Sequence, residues 1–254
     1  MSGALVAEGL HYRYSRRGPD VLRGLDWAVA PATRTVLLGP EKSGKSTLLR
    51  LLAHVDRPRS GRVYLTEGGD ARRIVGWLPQ KPPWLSGLTV RDQVAYVGWL
   101  KGLSKSDAAA RATDCLGHVG LADAAGQLTQ GLKPWQRSRL ALAEGLVHDA
   151  RFLILDEPTA ELEPPDRAKF WNVVRRLSRD LAVVVSTSDT REAAVEGIDR
   201  VAVLSGGAFR FAGARDAFLQ LAPAAAPIPR NRKLDATERA AWAAYWSLLG
   251  EEAR

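Results

Sequence analysis

The sequence predicts an α/β fold: a mostly parallel sheet with flanking helices, plus an antiparallel β subdomain and an inserted helical subdomain. Three observations predict it. The apolar run Thr35-Val36-Leu37-Leu38 opens into the loop Gly39-Pro40-Glu41-Lys42-Ser43-Gly44-Lys45-Ser46-Thr47, then a helix-like stretch, Leu48-Leu49-Arg50-Leu51-Leu52-Ala53. Two further runs, Phe152-Leu153-Ile154-Leu155 and Ala182-Val183-Val184-Val185, are short, wholly apolar and bounded, as strands buried on both faces should be. The helix-like stretch 166–178 between them makes a β-α-β crossover, and upstream of both the pattern over 88–148 turns helical.

Taken in order, the first third reads as strands at 5–6, 21–29, 35–38, 62–65 and 73–78, broken by Gly, Pro and Asp. Thr89 can cap a helix over 90–100, and Ser106 a second that ends near Gly120. A third fits 134–147, where Pro134 takes a first-turn position whose missing N–H costs little. Ser205-Gly206-Gly207 forms a hairpin turn between strands at 201–204 and 208–211. The Ala/Pro run 222–229 reads as a linker, and 237–249 as one amphipathic helix. The organisation is a core over 1–220 with its helical insert at about 88–148, then a linker and C-terminal helix over 221–254.

The loop at 39–47 carries the pattern G-x-x-x-x-G-K-[ST], which makes the core a P-loop NTPase fold. Backbone N–H groups of the loop and of the following helix surround the phosphates, and the helix dipole favours their negative charge. Lys45 reaches the β- and γ-phosphates and Ser46 offers a hydroxyl to Mg²⁺. From average residue usage, the bare pattern arises by chance in a chain this long on the order of one time in a hundred. The strand before it and helix after it lower that further, so ATP-class ligands with Mg²⁺ are expected.

Composition narrows the setting. The chain has 254 residues, 46% hydrophobic and 25% charged, enough for a full α/β core. No run approaches the roughly 18 apolar residues that cross a membrane, and the N-terminal apolar stretch is too short for a signal peptide. A single cysteine, Cys115, excludes an internal disulfide and fits a reducing cytosol. In its helix-like setting a small buried thiol is favoured over a nucleophile. The charge of +8 permits anionic partners, but the arginines are scattered rather than gathered in one basic block, so a solvated surface is the favoured reading.

The run 152–155 ends in Asp156-Glu157-Pro158-Thr159. At the C-terminal edge of a parallel sheet such a strand delivers Asp156 beside the P-loop, where it can hold Mg²⁺ through water, and places Glu157 to polarise the attacking water. Alone, a solvated acidic turn would be as good a reading; the upstream P-loop decides against it.

With these residues the sequence resembles an ATP-binding cassette (ABC) transporter nucleotide-binding subunit over roughly residues 3–220. Gly76-Trp77-Leu78-Pro79-Gln80 matches the family's Q-loop, which implies a γ-phosphate and metal sensor at Gln80. Gly87-Leu88-Thr89-Val90-Arg91-Asp92 resembles the start of the helical insert in exporter-type subunits. Tyr14 sits where the family stacks an aromatic on adenine; Tyr12 is a competing candidate, and either could be a plain strand aromatic.

The sequence also departs from the family pattern. Each nucleotide of a cassette pair lies between one P-loop and the partner's LSGGQ signature, and here Leu132-Lys133-Pro134-Trp135-Gln136 stands in that place. Pro134 has no N–H for a phosphate, Trp135 sets a ring where backbone must come close, and Lys133 offers a point charge instead. A register through Leu128-Thr129-Gln130-Gly131 keeps one glycine but breaks the spacing to Arg139. The switch histidine is replaced in Ser186-Thr187-Ser188-Asp189, where Ser188 can donate a hydrogen bond but carry no charge. The D-loop aspartate is Glu163.

The resemblance therefore implies an ATP hydrolase subunit with ATP and Mg²⁺, whose activity depends on a partner. Membrane-spanning transporter subunits would hold it peripherally on the cytoplasmic face, with Lys81-Pro82-Pro83-Trp84-Leu85 as a contact surface. A second cassette completes the sites, and the altered signature prefers a heterodimer over a homodimer. Export is the expected direction. The alternative is an ATP-binding regulatory module with little turnover. Nucleic acid is not an expected partner, because ABC proteins of that kind carry tandem cassettes or long coiled-coil insertions.

Overall fold

The computed structural model describes residues 3–82, 85–178, 181–223 and 234–250. Strands β1 (Leu5–Tyr12), β2 (Leu22–Val29) and β4 (Ser60–Leu65) form an antiparallel sheet in the order β2-β1-β4. Strands β3 (Arg34–Leu38), β5 (Val75–Leu78), β6 (Phe152–Asp156), β7 (Ala182–Thr187), β8 (Arg200–Ser205) and β9 (Ala208–Ala214) form the second, in the order β5-β6-β7-β3-β8-β9. Its pairings are parallel except β8–β9, the hairpin expected at Gly206-Gly207. Both glycines there have positive φ, 58° and 77°, as a two-residue hairpin turn demands. The helices are α1 (Lys45–Leu52), α2 (Val90–Leu100), α3 (Lys105–Val119), α4 (Pro134–Leu146), α5 (Pro164–Leu177), α6 (Arg215–Leu219) and α7 (Ala236–Leu249).

The wholly apolar runs read as two-faced strands because successive side chains alternate faces. Leu37, Ile154, Val184 and Ala202 join a core with α1 and the antiparallel sheet. Their neighbours Val36, Leu155, Val185 and Val203 join the opposite core, with residues of α2–α5 and α7. Helix α4 lies very close to the sheet: a Cβ on Gly76 of β5 would stand 2.6 Å from the Gly145 carbonyl oxygen of α4.

Several boundaries differ from the sequence expectation. β5 starts at Val75 because Asp70 accepts from the Arg72 N–H and caps a 3-10 turn over Ala71–Arg73. α3 is capped by Ser104, whose hydroxyl accepts from the Asp107 N–H at 3.1 Å; Ser106 falls inside the first turn. β1 runs to Tyr12, past Gly9 at φ 57°, which interrupts its pattern. The expected C-terminal helix is present and has a place. α7, closed by a capping box of Asp235 and Glu238, buries Ala241, Ala244, Tyr245 and Leu249 in the larger core and packs on a 3-10 turn at Thr190–Ala194. Most of the expected linker at 222–229, and Pro83 and Trp84 of the expected contact surface, lie outside the described residues.

Candidate functional site

The loop between β3 and α1 is held open by its glycines. A side chain on Gly39 would collide with the Leu204 carbonyl oxygen, and Gly44, at φ 104°, would bring a Cβ to 3.0 Å from Leu22. No side chain caps α1, so its first N–H groups point into the loop. The Lys45 ammonium is only 7% exposed; Nζ donates to the carbonyls of Gly39 (2.7 Å) and Pro40 (3.1 Å) and stands 3.6 Å from a Glu157 carboxylate oxygen. Ser43 Oγ is buried with no hydrogen-bond partner. A loop with an orphaned hydroxyl, a buried cation and uncapped amides fits a polyphosphate.

β6 and β7 bring the carboxylates to this loop. Their parallel register sets Asp156 opposite Ser186. Ser186 Oγ donates to Asp156 Oδ1 at 2.6 Å and accepts the Glu157 N–H at 3.0 Å. Glu157 itself has φ 48°, a left-handed conformation costly for a residue with a Cβ and held here by its surroundings. Burial raises the Glu157 pKa above its ordinary value, with Lys45 and the Ser188 backbone N–H pulling the other way. Burial lowers that of Lys45, against the pull of Glu157 and Asp156. Asp156 is 3% exposed.

Gln80 and Glu157 line one cleft of about 370 Å³, with Asp156, Lys81, Pro134 and Ser138. Ser138 of α4 donates to the Pro158 carbonyl at 2.8 Å, so the α4 end is tied to the segment after Glu157. Among the described residues, no group of three or more His, Cys, Asp or Glu could hold a metal by itself. Asp156 and Gln80 share this cleft, while Ser46 is exposed on the first turn of α1.

Tyr14 is 66% exposed and its hydroxyl bonds Thr47 Oγ1 at 2.7 Å, beside the P-loop. Tyr12 meets Tyr14 edge-on and packs against the core of the antiparallel sheet. Of the two tyrosines, Tyr14 offers the more exposed ring next to the loop. The Ser188 backbone N–H favours the ionised Glu157 carboxylate. Ser186 was missed in the sequence, although it begins the same Ser-Thr-Ser-Asp segment.

At the altered signature, Gln136 and Arg137 turn their N–H groups onto the Lys133 carbonyl, and Pro134 has none to offer. The Trp135 ring is half-buried against the larger core, with the Arg139 guanidinium 5.1 Å from its centre.

A family model described as ABC transporter matches residues 22–160. The chain belongs to the ABC transporter ATP-binding family. It is 34% identical to an ABC transporter ATP-binding protein of Bacillus subtilis, over 78% of this chain and 68% of that protein. It is 35% identical to an energy-coupling factor transporter ATP-binding protein of Symbiobacterium thermophilum, over 85% and 81%. A daunorubicin resistance ATP-binding protein of Streptomyces coeruleorubidus is 33% identical, over 80% of this chain and 66% of that one. The fold matches a dimeric ATP-binding cassette in a post-hydrolysis state with ADP and Pi, at a TM-score of 0.72 and 23% identity over 83% of this chain and 98% of that one. Members of this ABC family bind ATP, usually with Mg²⁺, and are generally ATP hydrolases. The mixed, mostly parallel sheet with its helices is the ABC cassette fold.

Proposed function

We propose that this chain binds and hydrolyses MgATP and couples the cycle to membrane-spanning transporter subunits, with a second cassette completing its site. The observation that carries the reading is the Lys45–Glu157 approach of 3.6 Å, which puts the P-loop cation and the acidic pair in one place. Lys45 moves from the loop carbonyls to the phosphates. Ser46, Asp156 and Gln80 would hold Mg²⁺, which would neutralise phosphate charge. Glu157, its carboxylate made more basic by burial, orients and polarises the attacking water. Loop amides of 39–47 cradle the phosphates, and Tyr14 stacks on the adenine.

What this chain offers a partner is weaker, because Lys133, Pro134 and Trp135 lack the donors of a normal signature. We favour a heterodimer in which the other cassette supplies an intact signature to this P-loop. The membrane subunits would hold the chain at the cytoplasmic face, and among its described residues no helix is long and apolar enough to cross a membrane. The relatives' names include aliphatic sulfonate import and daunorubicin resistance, so likeness does not favour export.

The test is MgATP binding and hydrolysis by the chain alone and with a partner cassette, alongside Glu157→Gln and Lys45→Ala. Turnover above the Glu157→Gln background supports the reading. ATP binding that is lost in Lys45→Ala, without turnover in any combination, leaves a binding module and removes the hydrolase.

A further inference from the structure

Beyond the acidic pair lies another carboxylate that the hydrolysis scheme does not use. Glu192, in the 3-10 turn at Thr190–Ala194, is fully buried. It accepts from Thr159 Oγ1 at 2.8 Å and from the Trp171 indole N–H, and Arg167 Nε lies 3.5 Å away. Thr159 follows Glu157 by two positions, and Glu192 follows Ser188 by four. Arg167 closes the circuit: it donates to the Leu162 carbonyl at 3.3 Å and pairs with Asp189 at 2.5 Å. Arg191 also pairs with Asp189, and Glu238 of α7 lines the same small cavity beside Glu192.

A buried carboxylate is expensive, and an apolar side chain of similar volume would usually pack as well or better. Its presence here therefore calls for a role that packing does not supply. Glu192 is bonded from one side by the stretch that leaves Glu157 and from the other by α5, while its own backbone continues the Ser188 segment. A shift of Thr159 cannot occur without breaking a buried hydrogen bond or carrying that segment with it.

We propose that Glu192 is a positioning residue for hydrolysis, holding the segments that follow Glu157 and Ser188 in one geometry through Thr159, Trp171 and Arg167. The proposal rests on the hydrolase reading above. The surface after Glu157, residues 158–163, is thereby tied to the switch segment 186–192, and α7 braces the turn from behind.

The experiment compares the full chain with Glu192→Leu, Glu192→Gln and Thr159→Val in MgATP affinity, turnover and hydrogen exchange. Glu192→Leu is expected to leave the MgATP Kd within about threefold and lower kcat by about tenfold or more, with Glu192→Gln recovering part of the loss. Exchange should rise together at 158–163 and 186–192, in Thr159→Val as well, with 39–47 unaffected. Unchanged kcat, or exchange raised only at 190–194, overturns the proposal; so does equal loss of affinity and turnover. If the wild-type chain hydrolyses no MgATP in any combination, the hydrolase reading and this role in hydrolysis both fall. The exchange data then show separately whether Glu192 joins the two segments.

Discussion

Ser186 Oγ donates to Asp156 Oδ1 at 2.6 Å, and the same oxygen accepts the Glu157 N–H at 3.0 Å. One hydroxyl thus orients the proposed metal ligand and fixes the backbone of the proposed catalytic residue in its left-handed conformation.

Ser186→Ala should destabilise the chain by about 1–3 kcal/mol, since it strips a buried carboxylate and a buried N–H of a shared partner. Turnover should fall further than ATP affinity, because the P-loop is untouched. Denaturant titration together with ATP binding at several Mg²⁺ concentrations checks both effects.

Glu157→Gln removes the base while keeping shape, and a general base contributes roughly 10²–10⁴-fold. Turnover should fall by about that factor with ATP still bound. A variant that keeps more than about a tenth of wild-type turnover would assign the base elsewhere.

Restoring Ser, Gly and Gly at 133–135 is expected to give the chain a working signature. Placed on a Lys45→Ala background and mixed with wild-type chains, it should raise hydrolysis above either protein alone, because the wild-type P-loop then receives normal donors in trans. No gain in the mixture would remove the signature as the limiting part. The same substitutions should cost about 1–2 kcal/mol through the loss of Pro134 at the helix start and of the Trp135–Arg139 contact.

Burial pushes the Glu192 carboxyl from an ordinary value of 4.5 up to about 7, opposed by Thr159, Arg167 and Trp171, with Asp189 adding to the rise. The folded chain therefore holds this proton where the unfolded chain has lost it. The sign follows: its contribution to stability is complete below about pH 4.5 and is lost as pH rises to about 7. Glu192→Gln should flatten the fall in melting temperature over that window.

What the sequence disclosed was local chemistry. The P-loop, the acidic pair, the Thr89 cap and the Gly206-Gly207 turn each declare themselves within a few residues. The cap of α3 was placed two residues late, at Ser106, whereas the Ser104 hydroxyl takes the Asp107 N–H. Ser186 was hidden because its role depends on the register of β7 against β6, which no local pattern states. Glu192 looks like a solvated acid in a short turn until α5 and α7 close over it, and burial of that kind is a property of the whole fold.

Lys45 already has a shell of oxygens: the Gly39 and Pro40 carbonyls and the Glu157 carboxylate. These groups are internal competitors for any phosphate that arrives. Measured affinity for the triphosphate is then a difference between two sets of oxygens, one foreign and one native. Neutralising Glu157 weakens the native set alone, so the variant that can no longer activate water should also grip its nucleotide more firmly than the wild type does.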